Sequence, residues 1–307
     1  MGEKDLVQKL LEDCPDVFAD IYNVLLFQGR QIIKAEDLHD TKNESQYKAD
    51  TSKMHEERRD LLKLWSNGKQ KALLGIENQI ARDHSMPFRV IGYDGVSYRS
   101  QVLKSWEGER CPVITLVLYF GEKRWEKPRS IAEELPEITN LHGMDYKIHV
   151  FEIPLLTDEQ VQMFQSDFRI IAEFFAAQRK GEKYEGTTRK IQHVDEMLKF
   201  MAVFTEDHRF LEVKLDDKEK EGTNMCAILD QIERKGMEAG MEAGMEAGRK
   251  EGIKIGKKLG RKSGKNDGIQ SVSKLIGILI QQGETDKLEM LGDQSCCEEL
   301  LKKYHLL

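Results

Sequence analysis

Two acidic residues, Asp60 and Glu77, stand in apolar runs that a single turn could bring together, and carboxylates so paired are suited to a hard metal ion. The runs are Arg58-Arg59-Asp60-Leu61-Leu62-Lys63-Leu64-Trp65 and Ala72-Leu73-Leu74-Gly75-Ile76-Glu77-Asn78-Gln79, joined by Ser66-Asn67-Gly68-Lys69. Asn-Gly between strand-like runs is the strongest short-range hairpin signal, because both residues tolerate the positive φ of a type I′ turn. If Ser66 pairs with Lys69, Asp60 lies opposite Gly75 and Glu77 opposite Arg58, which places both acids and Gln79 on one face. Diagonal neighbours on such a face are roughly 7–8 Å apart. Two carboxylates span that gap by sharing one ion at metal–oxygen distances of about 2.0–2.5 Å. The ordinary alternative is a pair of solvated acids near strand ends. Against it, Glu77 follows an apolar run fit for a buried strand, where a carboxylate without a partner is costly.

The elements that must position these groups follow from periodicity. Residues 15–30 carry Val17, Ile21, Val24 and Leu25, with Phe18 beside them, on one side of a helix, and Asp20 and Asn23 near that stripe. Residues 36–57 are polar and without period, and read as a long loop. After a polar connection over 81–87, residues 89–106 suggest a helix interrupted around Gly92 and Gly95. A central strand follows over 113–120, then a short helix near 130–135 and an alternating strand over 146–153. Thr157 with Gln160 forms a capping box, and helices are expected from there to residue 235. Val161, Phe164, Phe168, Ile171 and Phe175 keep helical spacing and should pack on the sheet.

The tail changes character. Glycine recurs at every fourth position from Gly236 to Gly268, and the unit Gly-Met-Glu-Ala appears three times in succession. Each interior glycine costs a helix about 1 kcal/mol relative to alanine, on the order of 8–9 kcal/mol over the segment. Small residues four apart allow close backbone approach, and a period above 3.6 winds a seam right-handed. The tail is therefore either a self-association helix or a repeat-expanded, partly disordered linker. Four segments result: a core over 1–156, a helical extension packing on it over 157–235, the glycine repeat over 236–268, and a small helical terminus over 269–307.

The overall charge of −7 argues against a uniformly basic surface, yet residues 249–265 hold eight Lys or Arg against Glu251 alone. The longest apolar stretch, Val113-Ile114-Thr115-Leu116-Val117-Leu118-Tyr119-Phe120, is far below the ~20 residues of a membrane helix. The amino terminus lacks the pattern of a secretion signal, so a cytoplasmic location is expected. Five scattered cysteines lack zinc or disulfide spacing and read as reduced thiols. No H-E-x-x-H spacing, Ser/His/Asp order or phosphate loop is present.

Taken in order, Arg59-Asp60, Gly75-Ile76-Glu77-Asn78-Gln79, Met86-Pro87-Phe88-Arg89, Gly92-Tyr93-Asp94, Tyr98, Gln101, Pro112-Val113, Leu118-Tyr119-Phe120-Gly121 and Arg124-Trp125-Glu126-Lys127-Pro128 carry a likeness. Together they resemble the Rpn family of recombination-promoting nucleases, also described as YhgA-like transposases, within the PD-(D/E)xK nuclease superfamily. The likeness spans residues 16–175, and the glycine ladder looks like the variable tails of that family. It implies an α/β fold with an αβββαβ core, a helical extension and a long glycine-ladder helical tail. It also implies a metal-dependent DNA endonuclease of low sequence specificity, tied to recombination, mobile elements or defence.

By that similarity Asp60 and Glu77 would bind the metal, the Asn78 backbone carbonyl would be a third ligand, and Asp20 is a candidate accessory acid. Oxygen-only ligands favour Mg²⁺ or Mn²⁺ over zinc. The superfamily's usual lysine two residues after the acid is here Gln79, which can orient a water but cannot serve as a cation or general base. Arg58, Arg89 and Lys53 are candidate substitute cations. Arg89 either grips phosphate or pairs with an acid; Met86 and Tyr93 read first as core residues, with Tyr93 facing the site as the alternative. DNA is the expected partner, with a homo-oligomer formed through the tail and no membrane association. The competing reading is a catalytically weak or inactive DNA-binding, oligomerising protein that retains the fold.

Overall fold

The computed structural model describes residues 3–41, 44–49, 53–103, 109–140 and 142–306, which form two compact units, Met1–Glu233 and Arg234–Leu307. The first unit is mixed α/β around a five-stranded mixed sheet. It opens with α1 (Glu3–Glu12), a helix outside the sequence expectation, whose Val7 and Leu11 are buried. Helix α2 (Pro15–Leu25) begins with proline in its first turn, where the missing N–H has no helical partner to lose. It stops short of residue 30 because Gln28 and Gly29 take φ of 56° and 84°.

Residues 36–57 are not the expected loop. They carry β1 (Leu38–Asp40) and an antiparallel pair, β2 (Glu44–Ala49) and β3 (Lys53–Arg58). These strands are polar in sequence, so hydrophobic alternation gives no signal for them. The acidic hairpin also differs from the expectation. Its strands are β4 (Leu61–Ser66) and β5 (Lys71–Gln79), and Asp60 lies just before β4 rather than within a strand. Ser66 pairs with Lys71 and Leu61 with Ile76, a register two residues away from the expected one. The cause is a four-residue loop in place of the type I′ turn. Asn67 Oδ1 accepts the Lys69 and Gln70 amides at 3.0 and 2.8 Å, and Gly68 takes φ of +79°. The shift is even, so side chains keep their face, and Asp60 comes directly opposite Glu77 instead of diagonal to it.

Helix α3 (Met86–Ser100) runs without a break through Gly92 and Gly95, and links β5 to the parallel strand β6 (Val113–Tyr119). Strand β7 (His149–Glu152) adds a further parallel edge, giving the order β1-β4-β5-β6-β7. One face of the sheet is covered by α2 and by α7 (Phe168–Lys180) with α8 (Val194–Thr205), through Phe18, Tyr22, Leu74, Ile76, Leu116, Phe168, Phe175 and Phe200. The other face receives α3, where Met86 and Val90 meet Val117, Tyr119, Trp125 and Val150. Both faces of β5 are therefore closed, which explains its unbroken burial from Ala72 to Asn78. The Thr157 capping box starts α6 (Asp158–Met163), and Phe164 leaves the helical region before α7 begins. Three single-turn helices, α4 (Ile131–Glu134), α5 (Glu137–Asn140) and α9 (Asp217–Lys220), lie in the connections.

One helix of 57 residues, α10 (Met225–Gln281), follows. Every residue from 237 to 270 is exposed, and a Cβ placed at any glycine from Gly240 to Gly268 would meet nothing within 4 Å. The second unit closes where Leu275 and Leu279 of α10 bury Leu301 of α11 (Gln294–Lys303), after Gly283 ends α10 with φ of +72°. Among the described residues no helix is long and apolar enough to cross a membrane.

Candidate active site

Asp60 and Glu77 are held together by the backbone at the end of β5. The Asp60 amide donates to Glu77 Oε2 at 3.3 Å, and the Asn78 amide donates to Asp60 Oδ2 at 2.7 Å. The N–H and C=O of an extended residue point to the same strand edge, so the Asn78 carbonyl faces the Asp60 side too. The Gln79 carbonyl faces β6 instead and accepts the Phe120 amide at 2.8 Å. Gln79 places its amide 3.4 Å from Glu77 Oε1. These groups line a cleft of about 350 Å³ together with Lys4, Gln8, Ile80 and Arg89.

Cations meet both acids. Lys9 Nζ lies 2.6 Å from Asp60 Oδ1, and Arg89 Nη2 lies 2.5 Å from Glu77 Oε1. Arg89 also reaches Asp83 Oδ2 at 3.1 Å and the Tyr93 hydroxyl at 3.2 Å. Glu77 is only 2% exposed. Burial, reinforced by the charge of Asp60, pushes its carboxyl up from 4.5 to about 8, against the pull of Arg89 and Lys9. Asn78 sends its side-chain amide to Glu12 Oε2 on α1 at 2.6 Å. Among the described residues no group of three or more His, Cys, Asp and Glu side chains is arranged to hold a metal ion.

A buried ionic knot lies beneath the cleft. Arg59, the residue before Asp60, crosses the face of Gly75 and donates from Nη2 to Asp94 Oδ1 at 2.6 Å. Thr115 Oγ1 donates to the same oxygen at 2.6 Å, and the Tyr146 hydroxyl to Asp94 Oδ2. Tyr93 places its ring 5.7 Å from the Arg59 guanidinium. From the opposite face, Tyr22 donates its hydroxyl to the Gly75 and Ile114 carbonyls at 2.7 and 2.9 Å. Tyr98 and Gln101 of the α3 region anchor the entry to β6: Tyr98 Oη accepts the Val113 amide, and Gln101 exchanges two bonds with the Cys111 backbone.

Of the residues singled out from sequence, the structure brings Asp60, Glu77, Asn78, Gln79, Arg89 and Tyr93 together. Tyr93 is buried and touches Arg89, so packing and proximity to the site coincide. Met86 is fully buried in the core. Asp20 does not reach the cleft. Its Oδ2 accepts the Gln165 and Ser166 amides, both at 2.7 Å, and so fixes the turn between α6 and α7. Arg58 and Lys53 have side chains outside the described residues. Sequence reasoning missed Lys4, Gln8, Lys9 and Glu12, all on α1. Lys4, Gln8 and Glu12 recur every fourth residue beside Val7 and Leu11, but nothing in that spacing shows the cleft they reach. Compared with known protein families, curated proteins and solved structures, the chain matches none of them.

Proposed function

We propose that this chain is a metal-dependent DNA endonuclease of low sequence specificity, centred on Asp60 and Glu77. The observation that carries this reading is the joining of those two carboxylates, through the Asp60 and Asn78 amides, in a cleft rimmed by Lys4 and Arg89, with Lys9 paired to Asp60. Such a rim suits a phosphate backbone, and the paired acids suit an ion beneath it. Supporting it is the element order α2, β1, β4, β5, α3, β6, the helix–strand–strand–strand–helix–strand sequence of a PD-(D/E)xK core, with β2–β3 inserted after its first strand. Links to recombination, mobile elements or defence rest on the family resemblance alone.

Asp60, Glu77 and the Asn78 carbonyl would hold Mg²⁺ or Mn²⁺, an all-oxygen set that leaves further positions to water and phosphate. When bound, the ion would lower the pKa of a water and offset charge on the phosphate. The chain's own groups do the rest. Burial of Glu77 disfavours its charge without a nearby cation, and the Asn78 amide fixes the orientation of Asp60. Gln79 contributes a neutral donor that can orient water. Arg89 holds Glu77 in place and leaves a cation at the rim.

The neutral Gln79 favours a second reading, a DNA-binding and assembly protein that does not cleave. Supercoiled plasmid incubated with Mg²⁺, Mn²⁺ or chelator separates the two, using the intact protein and Asp60→Ala purified alike. Metal-dependent nicking that disappears in the variant is the expected result. Equal cutting by both would place the activity elsewhere. DNA held equally with and without metal, with no cutting, would favour the second reading.

A further inference from the structure

Resting on the nuclease reading, we infer that α1 completes the site: Lys9 supplies the positive charge that Gln79 lacks, and Gln8 positions a substrate phosphate beside it. Lys9 is not an ordinary surface lysine. Its side chain is 13% exposed, its ammonium lies 2.6 Å from Asp60 Oδ1, and its charge acts on Glu77 as well. Arg89 is the less suitable source. Its guanidinium is already divided among Glu77, Asp83 and the Tyr93 hydroxyl, and it is the more exposed of the two.

Gln8 is the second, independent observation. It is 1% exposed and lines the cleft, yet among the described residues neither its amide nitrogen nor its amide oxygen has a hydrogen-bond partner. Buried side-chain amides are ordinarily bonded at both ends. An NH₂ group held beside two carboxylates and two cations matches the anionic oxygen of a phosphodiester. The carrier is fixed: Val7 and Leu11 are buried in the main core, and Lys4 stacks its ammonium 5.5 Å from the Phe204 ring. Lys9 is thus a fixed charge, brought from a different element than the hairpin.

The test is single-turnover plasmid cleavage in Mg²⁺ by the intact protein, Lys9→Met, Lys9→Arg, Gln8→Ala, Glu77→Gln and the double variant Lys9→Met/Gln79→Lys, with thermal melting of each. Lys9→Met should lower the rate at saturating DNA by about 100-fold, the usual effect of removing one electrostatic stabiliser. Gln79→Lys in that background should recover most of the loss, because it returns the charge to the strand position beside Glu77. A purely structural lysine would not be rescued from a different element. Gln8→Ala should raise KM more than it lowers kcat. The inference is overturned if Lys9→Met cuts within about threefold of the intact protein. It is equally overturned if neither Lys9→Arg nor the double variant recovers activity. An intact protein indistinguishable from Glu77→Gln would overturn the nuclease reading itself, and the role of α1 with it.

Discussion

Gly75→Ala should destabilise the protein, although propensity alone gives the opposite sign. Gly75 lies in the middle of β5, paired with Leu62 on one side and Thr115 on the other. Alanine loses less backbone freedom on folding, which would stabilise by about 0.5–1 kcal/mol where the site tolerates a methyl group. This site does not. A Cβ would stand 2.5 Å from Arg59 Cδ, 2.8 Å from its Nη1 and 2.9 Å from its Nε. Those atoms cannot swing away at little cost, because Arg59 is buried and its Nη2 is bonded to Asp94 at 2.6 Å. Asp94 in turn accepts Thr115 and Tyr146, so moving the guanidinium leaves a buried carboxylate without its counter-charge. Breaking a buried pair costs about 3–5 kcal/mol. After the propensity gain the net loss is about 2–4 kcal/mol, a large share of the ~5–15 kcal/mol that holds an ordinary domain.

Urea unfolding measures this directly, with the midpoint shifted and the slope unchanged. The double variant with Arg59→Ala isolates the cause. Once the side chain beyond Cβ is gone, Cδ and the guanidinium included, the methyl group has room, and Gly75→Ala should add almost nothing to the loss from Arg59→Ala. A coupling of at least about 1 kcal/mol between the two positions is expected. The reasoning is refuted if Gly75→Ala is neutral or stabilising alone, or if it costs the same in both backgrounds. Arg59 precedes Asp60 in the chain, so on the proposed nuclease reading the same displacement should also reduce cutting in Mg²⁺.

Two further outcomes follow from the geometry. Glu77 titrates at about 8 in the folded protein and near 4.5 when unfolded, so the folded state binds the extra proton between those values and stability should fall as pH rises through that window. Glu77→Gln should flatten the profile in urea unfolding at fixed salt; an unchanged slope in the variant would assign the pH dependence to other groups. Removing residues 236–307 should reduce the solution mass, measured by light scattering, to that of a single truncated chain, since the exposed glycine ladder is the expected self-association surface. An unchanged number of copies would sink that role.

The elements most legible in the sequence were those with an apolar period. Val113–Tyr119, the hairpin strands and the Thr157 capping box could be read because a buried face or a paired cap imposes a pattern on consecutive residues. What escaped lacked such a pattern. Strands β2 and β3 are polar, and Gly92 and Gly95 looked like breaks although packing of Met86 and Val90 keeps α3 whole. The hairpin register missed by two because the Asn67 side chain, not positive φ at both turn residues, stabilises the loop. The face of each acid survived that error because the shift was even.

For the site, legibility ended at the elements adjacent in sequence. Asp60, Glu77, Asn78 and Gln79 belong to one hairpin, so their proximity follows from local rules. Asp20 was expected there as an acid on the first recognised helix, but its bonds to Gln165 and Ser166 show a buried carboxylate spent on a turn. The helix that does reach the cleft is the preceding one, and its contribution depends on tertiary docking that no spacing encodes. Lys4, Gln8 and Glu12 recur every fourth residue and look like a solvated stripe, yet they lie beside Val7 and Leu11, and Gln8 and Glu12 are buried with them. Glu12 then holds Asn78 and Lys9 holds Asp60, so two groups of the candidate site are governed from α1. On the reading proposed above, a neutral Gln79 is compatible with a charged site, because Lys9 brings its charge to Asp60 through space rather than along the strand.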